Sequence, residues 1–60
     1  MNSKQLIKEL KQAGWEVIRI KGSHHQLRHP DFGNIVTVPH PKKDLSKGLV
    51  KAIRKQAHLE

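Results

Sequence analysis

With no cysteine among its 60 residues, this chain has neither a disulfide nor a thiolate zinc site to staple it. Its fold has to come from burying apolar side chains, and a chain this short buries only about 60% of the surface its unfolded form exposes. One small core is therefore expected, in a single domain over residues 1–60. The placement of each apolar residue carries correspondingly more information.

Asn2 or Ser3 can cap a helix, and Leu6, Ile7, Leu10 and Ala13 recur as one apolar stripe with Lys4, Lys8 and Lys11 on the polar side. Gly14 supplies the left-handed residue that stops it, so a helix over 3–13 is predicted. The run from Trp15 to Lys21 is rich in β-branched residues and reads as a strand. Val17 and Ile18 break its alternation, which leaves the buried face open and is what a bulge or a barrel-like twist produces. Gly22-Ser23 is a turn and 24–29 a second strand. Pro30 to Asn34 forms a hairpin loop, with Gly33-Asn34 suited to positive φ. Ile35 to Val38 is a third strand, ended by Pro39, which has no ladder donor. A rigid basic connector, His40-Pro41-Lys42-Lys43, leads to a helix capped by Ser46 with an apolar stripe of Leu49, Val50, Ile53 and Ala57. The expected class is α+β: order α-β-β-β-α, three antiparallel strands with two helices on one face and the other face wet.

Parity on the second strand separates its side chains. Alternation puts His24, Gln26 and Arg28 on one face and His25, Leu27 and His29 on the other. Leu27 is the only apolar residue of the run, so its face is the buried one and His24 points outward. A bulge in this strand would undo the argument.

Twelve Lys and Arg against five acids give a formal charge of +7, a density that attracts polyanions. Phosphate backbones are the usual partner. Lys47, Lys51 and Lys55 stand four residues apart, and each neighbouring pair costs a few tenths of a kcal/mol in an isolated helix, which favours an anionic partner for the row. Trp15 and Phe32 are the only large aromatics, too few for a base-stacking platform, so backbone and shape recognition fit better. No stretch approaches about 18 consecutive apolar residues, and charges interrupt the N-terminal segment, so neither a membrane span nor a signal core is read; a cytoplasmic protein is expected.

Three motifs stand out: Lys21-Gly22-Ser23-His24-His25, then His29-Pro30, then Val36-Thr37-Val38-Pro39-His40-Pro41. With Gly14-Trp15 and Gln56-Ala57, they resemble the HicA family of bacterial toxins over essentially the whole chain. The departures are Gly48-Leu49, where relatives often have Gly-Thr, and His58, where a Gly commonly sits. The resemblance implies a fold like that of double-stranded-RNA-binding domains and ribonuclease activity towards mRNA that arrests translation. It further implies a HicB-type antitoxin that masks the catalytic histidine. In the family that histidine follows Gly-Ser, which makes it His24 here, in agreement with the parity argument.

RNA carries its own nucleophile, so cleavage needs a proton acceptor, a proton donor and cations rather than a metal. Imidazole, with a reference pKa of ~6.5, serves either proton role near neutrality. His24 is the candidate catalytic residue. Lys21 and Arg28 are candidates to stabilise charge, and Gly22 and Ser23 to let backbone N–H groups approach a phosphate. Gln26, His40, Lys42 and Lys43 complete the candidate RNA contacts, although His40 serves equally as a backbone-bonded spacer and the two lysines as a solvated pair. His25 reads as a core-edge residue and His29 as structural. A metal site is not expected, because His24 and His25 face opposite ways and no His-Glu-x-x-His run exists; no cofactor is expected either. Asp31 and Asp44 lack partner carboxylates, and phosphate-loop and protease signatures are absent. The rival reading is a non-catalytic double-stranded-RNA-binding module, which needs the element order and basic surface but no glycine-turn-histidine. No pair of adjacent helices supports helix-turn-helix DNA binding.

Overall fold

The computed structural model describes residues 1–60. Helix α1 (Ser3–Gln12) starts at Asn2, whose side chain accepts from the Gln5 backbone N–H at 2.8 Å while the Gln5 side-chain oxygen accepts from the Asn2 N–H at 3.1 Å. That reciprocal box settles the choice of cap. Ser3 is thereby left for another task, and it is 1% exposed. At the far end Gly14 takes φ 100, with its N–H on the Lys11 carbonyl and the Trp15 N–H on that of Leu10, both at 3.0 Å. This is a Schellman stop. Ala13, expected in the apolar stripe, is the C-cap and is exposed. Its carbonyl accepts from His29 Nε2 at 3.1 Å instead.

Strands β1 (Glu16–Lys21), β2 (His24–Arg28) and β3 (Ile35–Pro39) pair antiparallel in that order, with β2 central. The register shifts between Val17 and Arg19, so Ile18 is the extra residue of a bulge. The broken alternation of β1 is thus an inserted residue, and β2 itself runs without a shift. Its parity holds: Leu27 is fully buried and His24 exposed. The 30–34 loop closes otherwise than expected, because neither Gly33 nor Asn34 has positive φ. Asn34 uses its side chain, donating from Nδ2 to the Gln56 carbonyl at 2.9 Å.

Helix α2 (Lys47–Gln56) starts at Ser46, whose hydroxyl accepts from Leu49 N–H at 3.2 Å. Leu49 is 38% exposed, against the expected stripe, because Leu45 just before the helix fills the core beside Val50, Ile53 and Ala57. Leu49 is left on the shoulder of that face. The helix ends in a second Schellman pair, Leu59 N–H to Arg54 O at 2.9 Å and His58 N–H to Lys55 O at 3.2 Å, with His58 at φ 59. His58 therefore occupies the position glycine favours, and it stacks on Phe32 at 3.9 Å.

Both helices lie on the face of the sheet that carries Leu27, Val36 and Val38, and Trp15 plugs one end, donating to the Ala57 carbonyl at 3.3 Å. Arg54 of α2 grips Glu9 of α1 with two bonds of 2.8 and 2.9 Å. The connector is sewn to the chain start: Ser3 N–H donates to Lys42 O at 2.9 Å and Leu45 N–H to Met1 O at 2.8 Å. No helix is long and apolar enough to cross a membrane.

Candidate active site

The site begins with the β1–β2 turn. Lys21 pairs with His24 across a two-residue loop whose first residue, Gly22, has φ 57. Positive φ at that position alone is the pattern of a type II′ hairpin, whose twist matches the strands. A Cβ built on Gly22 meets nothing within 4 Å, so glycine is favoured there by its positive φ alone and the surroundings stay open. The third strand grips the same loop, because the His40 N–H donates to the Ser23 carbonyl at 2.7 Å. His24 thus leaves a turn clamped from both sides.

Register then fixes its neighbours on the wet face. His24 lies between Lys21 and Pro39, Gln26 between Arg19 and Thr37, and Arg28 between Glu16 and Ile35. Opposed residues share a face with Cβ atoms about 5 Å apart. The structure therefore unites the predicted residues His24, Lys21, Gln26 and Arg28, with Gly22 and Ser23 at the end of the row. It adds Arg19, whose place only the bulge reveals: a regular register would have turned it to the other face. Such a strand face offers one imidazole, three cations and a single acid, Glu16. It can hold a phosphodiester and move a proton.

The other predicted contacts lie elsewhere. His40 turns to the helix side, where its ring meets that of His25 at 4.6 Å, edge on. Its Nδ1 is 2.7 Å from Ser3 Oγ, which also accepts from the Lys42 N–H at 2.8 Å and lies 3.2 Å from the Lys42 carbonyl. Either tautomer satisfies this network: Ser3 gives its proton to His40, or receives one and gives its own to the Lys42 carbonyl. His24 and His40 therefore work on opposite sides of the sheet and do not share a reacting atom. Lys42 and Lys43 are exposed beside Asn2, Ser3 and Lys4.

His25 is partly buried, as the core-edge reading expects, but its Nδ1 is buried with no partner. Burial pushes its pKa below the usual histidine value, with His40 and Lys11 acting in the same direction. His29 is tied at both ring nitrogens: Nε2–H donates to the Ala13 carbonyl, and Nδ1 accepts from the Asp31 N–H at 3.0 Å. Those bonds fix one tautomer and fasten the end of β2 to the end of α1. No three histidines or carboxylates converge as a metal site would require.

Comparison with known proteins gives this geometry a context. The model of the family described as the HicA toxin of bacterial toxin–antitoxin systems matches residues 3–59. The chain belongs to the HicA toxin family. A solved HicA3 and HicB3 toxin–antitoxin complex contains a chain 39% identical to this one, with a TM-score of 0.81 over 97% of this chain and 94% of that one. No curated protein matches. Membership accounts for the α+β order and for the three motifs together, since the HicA resemblance rests on the very turn that carries His24.

Proposed function

We propose that this HicA toxin is a metal-independent endoribonuclease that cleaves mRNA with His24 as its catalytic residue, so arresting translation, and that a HicB-type antitoxin neutralises it. One observation carries the reading: an exposed imidazole, fixed by a clamped glycine turn, in a strand face of cations. His24 takes the 2′-OH proton as the 2′ oxygen bonds to phosphorus, the P–O5′ bond breaks, and the proton returns to the 5′ oxygen. The products are a 2′,3′-cyclic phosphate and a 5′-OH. Lys21, Arg19 and Arg28 hold the charge that builds on the non-bridging oxygens. Gln26 and the open backbone at Gly22 and Ser23 position the phosphate, and Lys42, Lys43 and His40 meet the RNA away from the reacting atoms.

The antitoxin reading rests on family membership and on the HicA3 and HicB3 complex, and the charge of the chain agrees with it. A face carrying Lys21, Arg19 and Arg28 on a chain of +7 suits an acidic partner surface, which would cover His24 and compete with RNA. The test is expression of the chain and of its His24→Ala variant in a bacterial host, with and without a co-expressed HicB-type protein. Growth arrest by the parent alone, relieved either by the variant or by the partner, is the expected result. Arrest by both chains alike would remove His24 from the mechanism.

A further inference from the structure

The wet face leaves the opposite side of β2 unused, and that side is not inert. Between α1 and the sheet lies a cleft of about 330 Å³ lined by Lys4, Ile7, Lys8, Lys11, Val17, His25 and His40. No carboxylate lines it. The single acid of α1, Glu9, is drawn to the other flank of the helix by Arg54. A second cleft, which also includes Lys4 and His40, continues it to Lys42 and Lys43. Five lysines thus form one track, and three of them ride a single helix at i, i+4 and i+7, about 10 Å from end to end at 1.5 Å per residue.

Holding three ammonium groups beside two imidazoles costs free energy through mutual repulsion unless an anion sits among them. The hydrogen-bonding inventory matches that occupant. The Nδ1 of His25 is buried with no hydrogen-bond partner, which leaves Nε2 as the ring nitrogen that can meet an occupant of the cleft. His40 accepts or donates at Nδ1 through the Ser3 hydroxyl, so its outer nitrogen adapts to what approaches.

We infer that this cleft is a second phosphate subsite, which holds the backbone of the RNA flanking the bond cut at His24. The inference rests on the proposed ribonuclease reading. Adjacent residues of one strand point to opposite faces, so His24 and His25 present the two subsites at one end of the sheet. An RNA strand passing the β1–β2 turn reaches both. The cleft supplies affinity and the wet face supplies chemistry.

The experiment measures binding of a 2′-O-methyl RNA, which cannot be cleaved, as a function of salt, for the parent, for Lys8→Ala/Lys11→Ala and for Lys51→Ala/Lys55→Ala. Both double variants remove the same charge from exposed helix positions. The cleft pair is expected to weaken binding roughly tenfold or more at low salt and to flatten the log K against log salt slope by about 0.7 for each phosphate no longer neutralised. The α2 row, although its spacing also suits an anion, borders a different cleft that contains the acid Glu60 beside Lys47 and Lys51, so the α2 pair is expected to change binding by less than about threefold. In the parent, the ring ¹⁵N signals of His25 and His40 should move on adding the RNA, and on plain RNA the cleft pair should raise KM with little change in kcat. Equal effects from the two pairs, or histidine signals that stay fixed, overturn the subsite. So does a cleft pair that binds RNA normally but no longer binds its HicB-type partner, which would make the cleft a protein interface. If the parent neither binds nor cleaves RNA, the ribonuclease reading has failed instead.

Discussion

Gly14 is where the geometry makes its most quantitative demand. Its φ of 100 lies where side chains other than hydrogen are strained, and a Cβ built there comes within 2.6 Å of His29 Nε2. Gly14→Ala therefore acts twice. The backbone conformation costs about 1–2 kcal/mol for an L-residue. The displaced His29 ring gives up its bonds to the Ala13 carbonyl and the Asp31 N–H, about 1 kcal/mol each, and its edge contact with Trp15 at 5.4 Å, about 0.5–1.5 kcal/mol. The sum is about 3.5–5.5 kcal/mol, comparable with the whole folding free energy of so small a domain. Gly22→Ala is the control, because its φ is also positive but its Cβ would stand in open space. It should cost only the backbone part, about 1 kcal/mol. Urea denaturation at low temperature measures both. In a His29→Ala background the clash is gone, and Gly14→Ala should then cost no more than about 2 kcal/mol. Equal destabilisation at the two glycines, or an undiminished effect in that background, would refute the account of how β2 is fastened to α1.

His58 sits at φ 59 and stacks on Phe32, so His58→Ala removes the stack and keeps the strain. His58→Gly removes the stack but relieves the strain, and thermal denaturation should find it about 1 kcal/mol more stable than the alanine variant. His25 has a pKa lowered by burial, then by His40 and Lys11, so between that value and about 6.5 the unfolded chain binds the extra proton. Stability should consequently fall as pH drops below about 6.5, and His25→Gln should flatten that acid slope in Tm; an unchanged slope would show that other groups set it.

Local signals in the chain carried most of the architecture. Gly14 after a 3.6-residue stripe, β-branched runs around Gly22-Ser23, and Ser46 before the last stripe are signals within a few residues, and each element appeared within a residue or so of its expected place. The outward face of His24 followed from Leu27 alone, since strand alternation is a two-residue property and β2 has no bulge. What stayed hidden was set by distant parts. Leu49 ceded its core place to Leu45, and although Val17-Ile18 already pointed to a bulge or a twist, only the strand register shows that it turns Arg19 to the face of His24. His40 reads equally as an RNA contact and as a backbone-bonded spacer. Only its contacts with Ser3 and His25 show that it faces the helices. The lysines of α1 read as a solvated face because nothing local tells which strand side chains stand opposite them.

The central claim is that His24 drives attack by the RNA's own 2′-OH. The measurement that reaches it most directly is incubation of the purified chain, in EDTA, with a structured RNA and with the same RNA carrying 2′-O-methyl groups. Cleavage of the unmodified RNA alone, leaving 2′,3′-cyclic phosphate or 3′-phosphate ends and abolished in His24→Ala, is the predicted result. Tight binding of both RNAs without cleavage of either would contradict it and leave a double-stranded-RNA-binding module whose histidines are scaffold.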